Sequence, residues 1–131
     1  MNSILRPSIP PTDERWEAQL RKGCLELAVL GSLRGGRRYG LEILRSLEAH
    51  VTLGLVEGTL YLILNRLKRE GIVDAEWVDA GTGHPRKYYW LTDAGSDRLQ
   101  DMSMFWRQLS ADLETVLKPV GMRKEAGRAA R

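Results

Sequence analysis

The chain has 131 residues, 43% of them hydrophobic, with 20 Lys and Arg against 17 Asp and Glu and a net charge of +3. That is one domain's length, apolar enough for a core and too apolar for a disordered chain. No apolar run approaches the roughly 18 residues that span a bilayer, "MNSILRPSIPP" lacks the apolar core and cleavage site of a signal peptide, and the single cysteine, Cys24, excludes an internal disulfide and a cysteine metal cluster.

A cytoplasmic protein without a membrane partner is therefore expected. Residues 1–11 carry three of the five prolines and no periodicity, which predicts a flexible arm. Thr12 is placed to cap a short helix through about Leu20, with Asp13 and Glu14 in its first turn, where the helix dipole favours acids. "RKGCLELAVLGSLRGG" then continues with Leu20, Cys24, Leu27, Ala28, Gly31 and Leu30 as its apolar side, and Gly35-Gly36 ends it. Cys24 is expected to be buried filler. In "RRYGLEILRSLEAH", Ile43, Leu44 and Leu47 form an inward stripe, while Glu42, Arg45 and Glu48 face water.

After the connector "VTLGL" comes "VEGTLYLILNRLKREGIV". Leu60, Ile63, Leu64 and Leu67 recur at helical spacing, and Gly71 stops the helix. Tyr61, Leu62, Asn65 and Arg69 point away from that stripe, with Arg66 beside them. This face holds no acid. An amide here can pair with adenine, and arginines can meet phosphate or guanine. A plain solvated helix face is the alternative, although Tyr61 and Leu62 suit solvent poorly.

The period then changes to two. Val73, Ala75 and Trp77 alternate with Asp74 and Glu76, "DAGTGHP" is a turn, and "RKYYWL" returns as a second strand. Two helices around a tight connector followed by a hairpin predict a winged helix-turn-helix, mainly α with one β-hairpin, over residues 12–91. Tyr88 and Trp90 share one side of the second strand, Tyr89 and Leu91 the other. Arg86 and Lys87 stand where a wing tip would reach a duplex. Residues 57–91 hold five basic and five acidic side chains. A surface for nucleic acid must therefore be made by folding, which would bring the arginine face near Arg86 and Lys87.

Thr92 can cap a long helix over residues 92–118. Leu99, Met102, Trp106, Leu109, Leu113 and Val116 follow steps of three and four, a heptad seam broadened by Phe105. A core already closed by three helices and a hairpin would leave these residues exposed. Pairing with an identical chain is the expected solution, since two-fold dimers are the commonest oligomers. Residues 119–131 are expected to be a disordered tail. His50 and His84 belong to no catalytic grouping, and no nucleophile–base pair, metal spacing or phosphate loop is present. Neither an enzyme nor a cofactor is expected. A winged helix that binds only protein is the remaining rival.

"RKGCLELAVLGSL", "YGLEIL", "VEGTLYLILNRLKREGIV" and "RKYYWLTDAG" together resemble the PadR family of bacterial transcription regulators, in its short form with one C-terminal helix. The resemblance covers about Arg21 to Leu117. It implies a winged-helix dimer on dyad-symmetric operator DNA, usually a repressor relieved by a small molecule. It also implies DNA contacts from Tyr39, Thr59 and Tyr61, and it places Arg86 and Lys87 at the wing end of the motif. Trp106 matches a tryptophan that lines an apolar effector channel in multidrug-sensing members; plain dimer packing fits it equally. Two positions depart from the family pattern. Val56 stands where Ser or Thr is usual, and Leu62 stands where Pro is common.

Overall fold

The computed structural model describes residues 13–79, 81 and 83–120. The expected N-terminal arm and most of the expected tail lie outside them. The elements run α1 (Glu14–Ser32), β1 (Arg38–Tyr39), α2 (Gly40–Glu48), a 3-10 turn (Val51–Leu53), α3 (Glu57–Arg69), β2 (Val73–Val78), β3 (Arg86–Leu91) and α4 (Asp93–Val116). The strands form one antiparallel sheet in the order β1-β3-β2. This is a winged helix-turn-helix, mainly helical, with β2 and β3 as the wing. No helix among the described residues is long and apolar enough to cross a membrane.

α1 differs from expectation in three ways. It is one continuous helix, not a short helix followed by another. Its N-cap is Asp13 rather than Thr12, and the Asp13 carboxylate accepts the Arg15 N–H at 2.9 Å. Its core-facing residues are Leu25, Val29 and Leu30, with Leu33 just beyond its end; of the expected stripe only Leu30 and, in part, Ala28 meet the core. A long helix can carry two apolar stripes, and the sequence alone does not say which one meets the core. Cys24 accordingly is only half-buried.

The core is closed by Ile43, Leu44 and Leu47 of α2 and by Leu60, Leu64 and Leu67 of α3, joined by Leu55, Ile72, Val73 and Tyr89. The α3 leucines are fully buried. Val56 occupies the N-cap of α3 without a side-chain hydrogen bond to the helix. At the other end, the Ile72 N–H donates to the Leu67 carbonyl at 2.9 Å and the Gly71 N–H to the Lys68 carbonyl at 3.1 Å. Gly71 sits at φ +76, so this is the paired closure that a left-handed glycine makes possible.

The hairpin pairs Val73 with Leu91 through to Val78 with Arg86. Strand β1 was not foreseen. It pairs Arg38 with Tyr89 and Tyr39 with Tyr88, and two residues are too few to show a period. The predicted alternation in β3 holds: Tyr89 is buried, whereas Tyr88 and Trp90 lie on the other side beneath the Arg37 guanidinium.

α4 begins where α3 ends. Thr92 Oγ1 accepts the Gly95 N–H at 3.0 Å and donates to the Gly71 carbonyl at 2.6 Å, and the Thr92 N–H donates to the Ile72 carbonyl at 3.1 Å. Gly95 is buried against that same Ile72 carbonyl, which leaves no room for a Cβ. The obstacle is backbone, so a methyl group cannot be accommodated by a rotamer change. Gly95→Ala is expected to cost about 3 kcal/mol, the upper part of the range for overpacking, measured as a lower urea midpoint with an unchanged slope.

Candidate nucleic-acid interface

The middle of α3, the start of α2 and the wing border one open depression of about 510 Å³. Five of the nine residues expected to meet DNA line it: Tyr39, Tyr61, Asn65, Arg86 and Lys87. The fold brings them together from positions up to 48 apart in the chain. Asn65 is exposed on α3, and Tyr39 precedes α2, its N–H donating to Glu42 Oε1 at 3.0 Å. Arg86 and Lys87 start β3.

The wing cations are not free-floating. The Arg86 guanidinium carbon lies 4.4 Å from the centre of the Tyr39 ring, and Lys87 Nζ lies 5.8 Å from Trp77 and 5.7 Å from Tyr89. Tyr39 meets Tyr88 edge-on at 5.6 Å. Arg37 spans Tyr88 and Trp90 and is ion-paired with Glu76. Each exposed cation–π contact contributes about 0.5–1 kcal/mol. Their joint effect is to hold β1 and the wing in one orientation relative to α2.

Tyr61 is half-buried and leans over Gly40, not out into solvent; a Cβ at Gly40 would lie 2.5 Å from its Oη and 2.8 Å from Cε1. Burial, and then the neighbouring Glu57 charge, push its phenol above the ordinary range. The phenol therefore stays protonated and able to donate a hydrogen bond at the depression. Gly40 is thus the partner whose missing side chain leaves room for the Tyr61 ring.

The other four expected residues do not line the depression. Thr59 is half-buried in the first turn of α3, and Leu62 is 72% exposed beside it. Arg69 is exposed on the same outward side and makes no ion pair among the described residues. Arg66 is a correction. It was expected on the outward face, but its Nη2 reaches Glu26 of α1 at 2.7 Å and its Nη1 reaches Glu70 at 3.3 Å. Hydrogen bonding to Glu26, more than to Glu70, raises its already high pKa. At 100° per residue, position 66 sits at the border of the two faces, and a long side chain there follows the nearest carboxylate. Trp77 and Leu41, which also line the depression, were not foreseen. Trp77 is brought there by its pairing with Lys87 across the hairpin, a register that the alternation of the two strands alone does not fix.

The seam on α4 divides in two. Leu99 and Met102 were expected at a dimer interface but pack partly against the chain's own core. Phe105, Trp106, Leu109, Leu113 and Val116 remain 40–76% exposed. Trp106 and Leu109 face Leu20, Cys24 and Leu27 of α1 across an apolar groove of about 480 Å³. The second stripe of α1 ends there, not in the core.

A helix-turn-helix with a wing, and a cationic, aromatic depression between them, defines the class: a winged-helix regulator. The model of the transcriptional regulator PadR-like family matches residues 29–101. The chain belongs to that family, whose members are transcriptional regulators and not enzymes. It is similar to a PadR-like transcription factor from Bacteroides fragilis, with 34% identity over 79% of this chain and 99% of that one and a TM-score of 0.65. A PadR-like regulator from Bacillus cereus shares 29% identity over 77% of this chain and 98% of its own, with a TM-score of 0.70. Bacillus subtilis PadR, solved in complex with operator DNA, shares 30% identity over 60% of this chain and 45% of its own, with a TM-score of 0.53.

The seat of Tyr61 can be tested without any ligand. Gly40→Ala is expected to cost about 1–3 kcal/mol by overpacking in urea unfolding. Combining it with Tyr61→Leu should recover most of that loss, because the smaller side chain vacates the contact.

Proposed function

We propose that the protein is a homodimeric repressor that binds dyad-symmetric duplex DNA and responds to a small apolar or aromatic effector. The observation that carries the DNA reading is the convergence of Tyr39, Tyr61, Asn65, Arg86 and Lys87 around one depression. The operator complex of the similar Bacillus subtilis protein supports it. α3 enters the major groove with Asn65 toward an adenine edge and Leu62 toward a thymine methyl. Thr59 and Tyr39 approach from the helix starts, Arg69 meets a phosphate, and Arg86 and Lys87 of the wing reach the flanking backbone. Three cations per head are enough because two heads bind together and each gains from the other's effective concentration. Repression and effector release are the modes that the family resemblance implies.

Titration of a duplex enriched by this protein from a random pool tests the reading. Six phosphate contacts in the dimer give a slope of log K against log salt of roughly −5. Arg69→Ala should flatten that slope by about one ion per head, and Asn65→Ala should relax base preference by about 1–3 kcal/mol at one position while leaving the slope alone. Binding that ignores salt would refute the DNA reading.

The dimer forms through Phe105, Trp106, Leu109, Leu113 and Val116, whose exposure on one chain is the supporting observation. Such a patch on a rod of this length calls for a partner surface. The groove between Trp106 and the α1 stripe receives the effector, with a flat ring stacking on the indole. Leu109→Asp combined with Leu113→Asp is expected to give a folded monomer in sedimentation equilibrium, with operator affinity reduced about a hundredfold by loss of the linked second head.

A further inference from the structure

Four charged side chains from three helices close a ring at the base of α4. Arg66 of α3 holds Glu26 of α1 at 2.7 Å and Glu70 at 3.3 Å; Arg98 of α4 holds Glu70 at 3.1 Å and Glu26 at 3.4 Å. Each carboxylate bridges two guanidiniums, the signs alternate, and the charges sum to zero. The ring is partly withdrawn from water, with the Glu26 side chain 19% exposed and the other three between 36% and 40%. Hydrogen bonds from Arg98, and then from Arg66, hold the Glu70 carboxyl below its ordinary range.

An isolated surface pair contributes little, because two long side chains are ordered for a screened attraction. This ring is a different arrangement. One arginine grips carboxylates on two elements, and a second arginine on a third element grips the same two. Such closure restricts direction as well as distance. It lies beside the Thr92 hydrogen bonds to Gly71 and Ile72, so the last turn of α3 and the first turns of α4 are fastened at two points. Beyond Met102, α4 leaves the body and carries the exposed seam.

We infer that the ring of Glu26, Arg66, Glu70 and Arg98 is the joint that sets the angle of the recognition helix against the dimerisation rod, and that Arg66, Glu26 and Arg98 are positioning residues for DNA binding. The inference rests on the dimeric DNA-binding reading above. In such a dimer, the angle between α3 and α4 fixes the spacing and tilt of the two recognition helices. α3 has 13 residues and is about 20 Å long, so a tilt of about 10° swings its far end by about 3.4 Å, one base-pair step. A joint that loosens by that much loses the register between half-sites.

The test uses the full chain and the duplex it enriches from a random pool. Glu26→Gln, Arg98→Gln and Arg66→Gln should each weaken binding about tenfold, the scale of coupling within such networks. All three should leave the salt slope unchanged, and each should discriminate less against duplexes with one base pair inserted at the dyad. Glu26→Gln together with Arg66→Gln should lose no more than either alone, because the ring is already open. The result that overturns the joint is an Arg66→Gln protein with a flatter slope beside Glu26→Gln and Arg98→Gln proteins that bind normally: the arginine would then touch phosphate. Hydrogen exchange decides the matter independently of DNA. Glu26→Gln and Arg98→Gln, each checked as folded by circular dichroism, should speed exchange across residues 66–71, and unchanged exchange in both would sink the joint. A wild-type protein that enriches no duplex would refute the DNA reading alone, and the exchange result would still stand or fall by itself.

Discussion

Three leucines of α3 decide what the rest of the molecule can present. Leu60, Leu64 and Leu67 are wholly buried, and each is stabilised by about 2 kcal/mol through removal from water. Because they occupy one stripe of the helix, the opposite side has no freedom to turn inward. Leu62, Asn65 and Arg69 are therefore directed outward by the packing of their neighbours, not by any attraction of their own, while Tyr61 lies at the edge of that face, half-buried over Gly40. Rotating α3 by one residue would expose a leucine and bury a polar group, two penalties at once. The candidate interface is thus a by-product of core packing, and its precision is that of the core.

The wing adds the second half of the surface by a different physics. Its two strands pair through backbone hydrogen bonds, a further pairing of β1 with β3 ties it to the start of α2, and side chains reinforce that placement. Arg86 stacks on Tyr39, Tyr39 meets Tyr88, and Arg37 bridges Tyr88 to Trp90. The chain of contacts runs across the exposed side of the sheet, where no core enforces an arrangement. Aromatic and guanidinium planes order one another there, with less loss of side-chain freedom than flexible lysines would incur. Two short β1 residues matter more than their number implies, since they carry Tyr39 into register with Tyr88.

The helix-turn-helix and hairpin were legible because each has a period. Leu60 to Leu67 repeat at helical spacing, Val73 to Trp77 alternate, and Thr92 and Gly71 mark ends through their own backbone chemistry. What escaped had no local signature. α1 carries two apolar stripes, and only the arrival of α2 and α3 on one side shows that Leu25, Val29 and Leu30 face the core while Leu20, Cys24 and Leu27 face α4. Arg66 lay at a border between faces, and its direction was settled by Glu26, 40 residues away. Trp77 looked like the inward member of an alternating strand, yet it ends 67% exposed because the core stops before the tip of the hairpin. Long-range partners and the limits of a core are tertiary facts that a period cannot encode.

The placement of charge now explains how a chain of only +3 can present a cationic surface. Arg66 and Arg98 are neutralised by Glu26 and Glu70, and Arg37 by Glu76. These pairs cancel within the molecule and leave Arg69, Arg86 and Lys87 outward. Net charge is therefore a poor guide to this surface, because Glu26, Glu70 and Glu76 are taken up by ion pairs with arginines outside the depression. The same separation gives the arginines two kinds of work on one helix: Arg69 remains open to solvent, whereas Arg66, three residues earlier, ties the helix to α1. A three-residue step leaves the two side chains about 60° apart around the helix, so Arg66 lies within reach of Glu26 on α1 and of Glu70, whereas Arg69 makes no ion pair among the described residues.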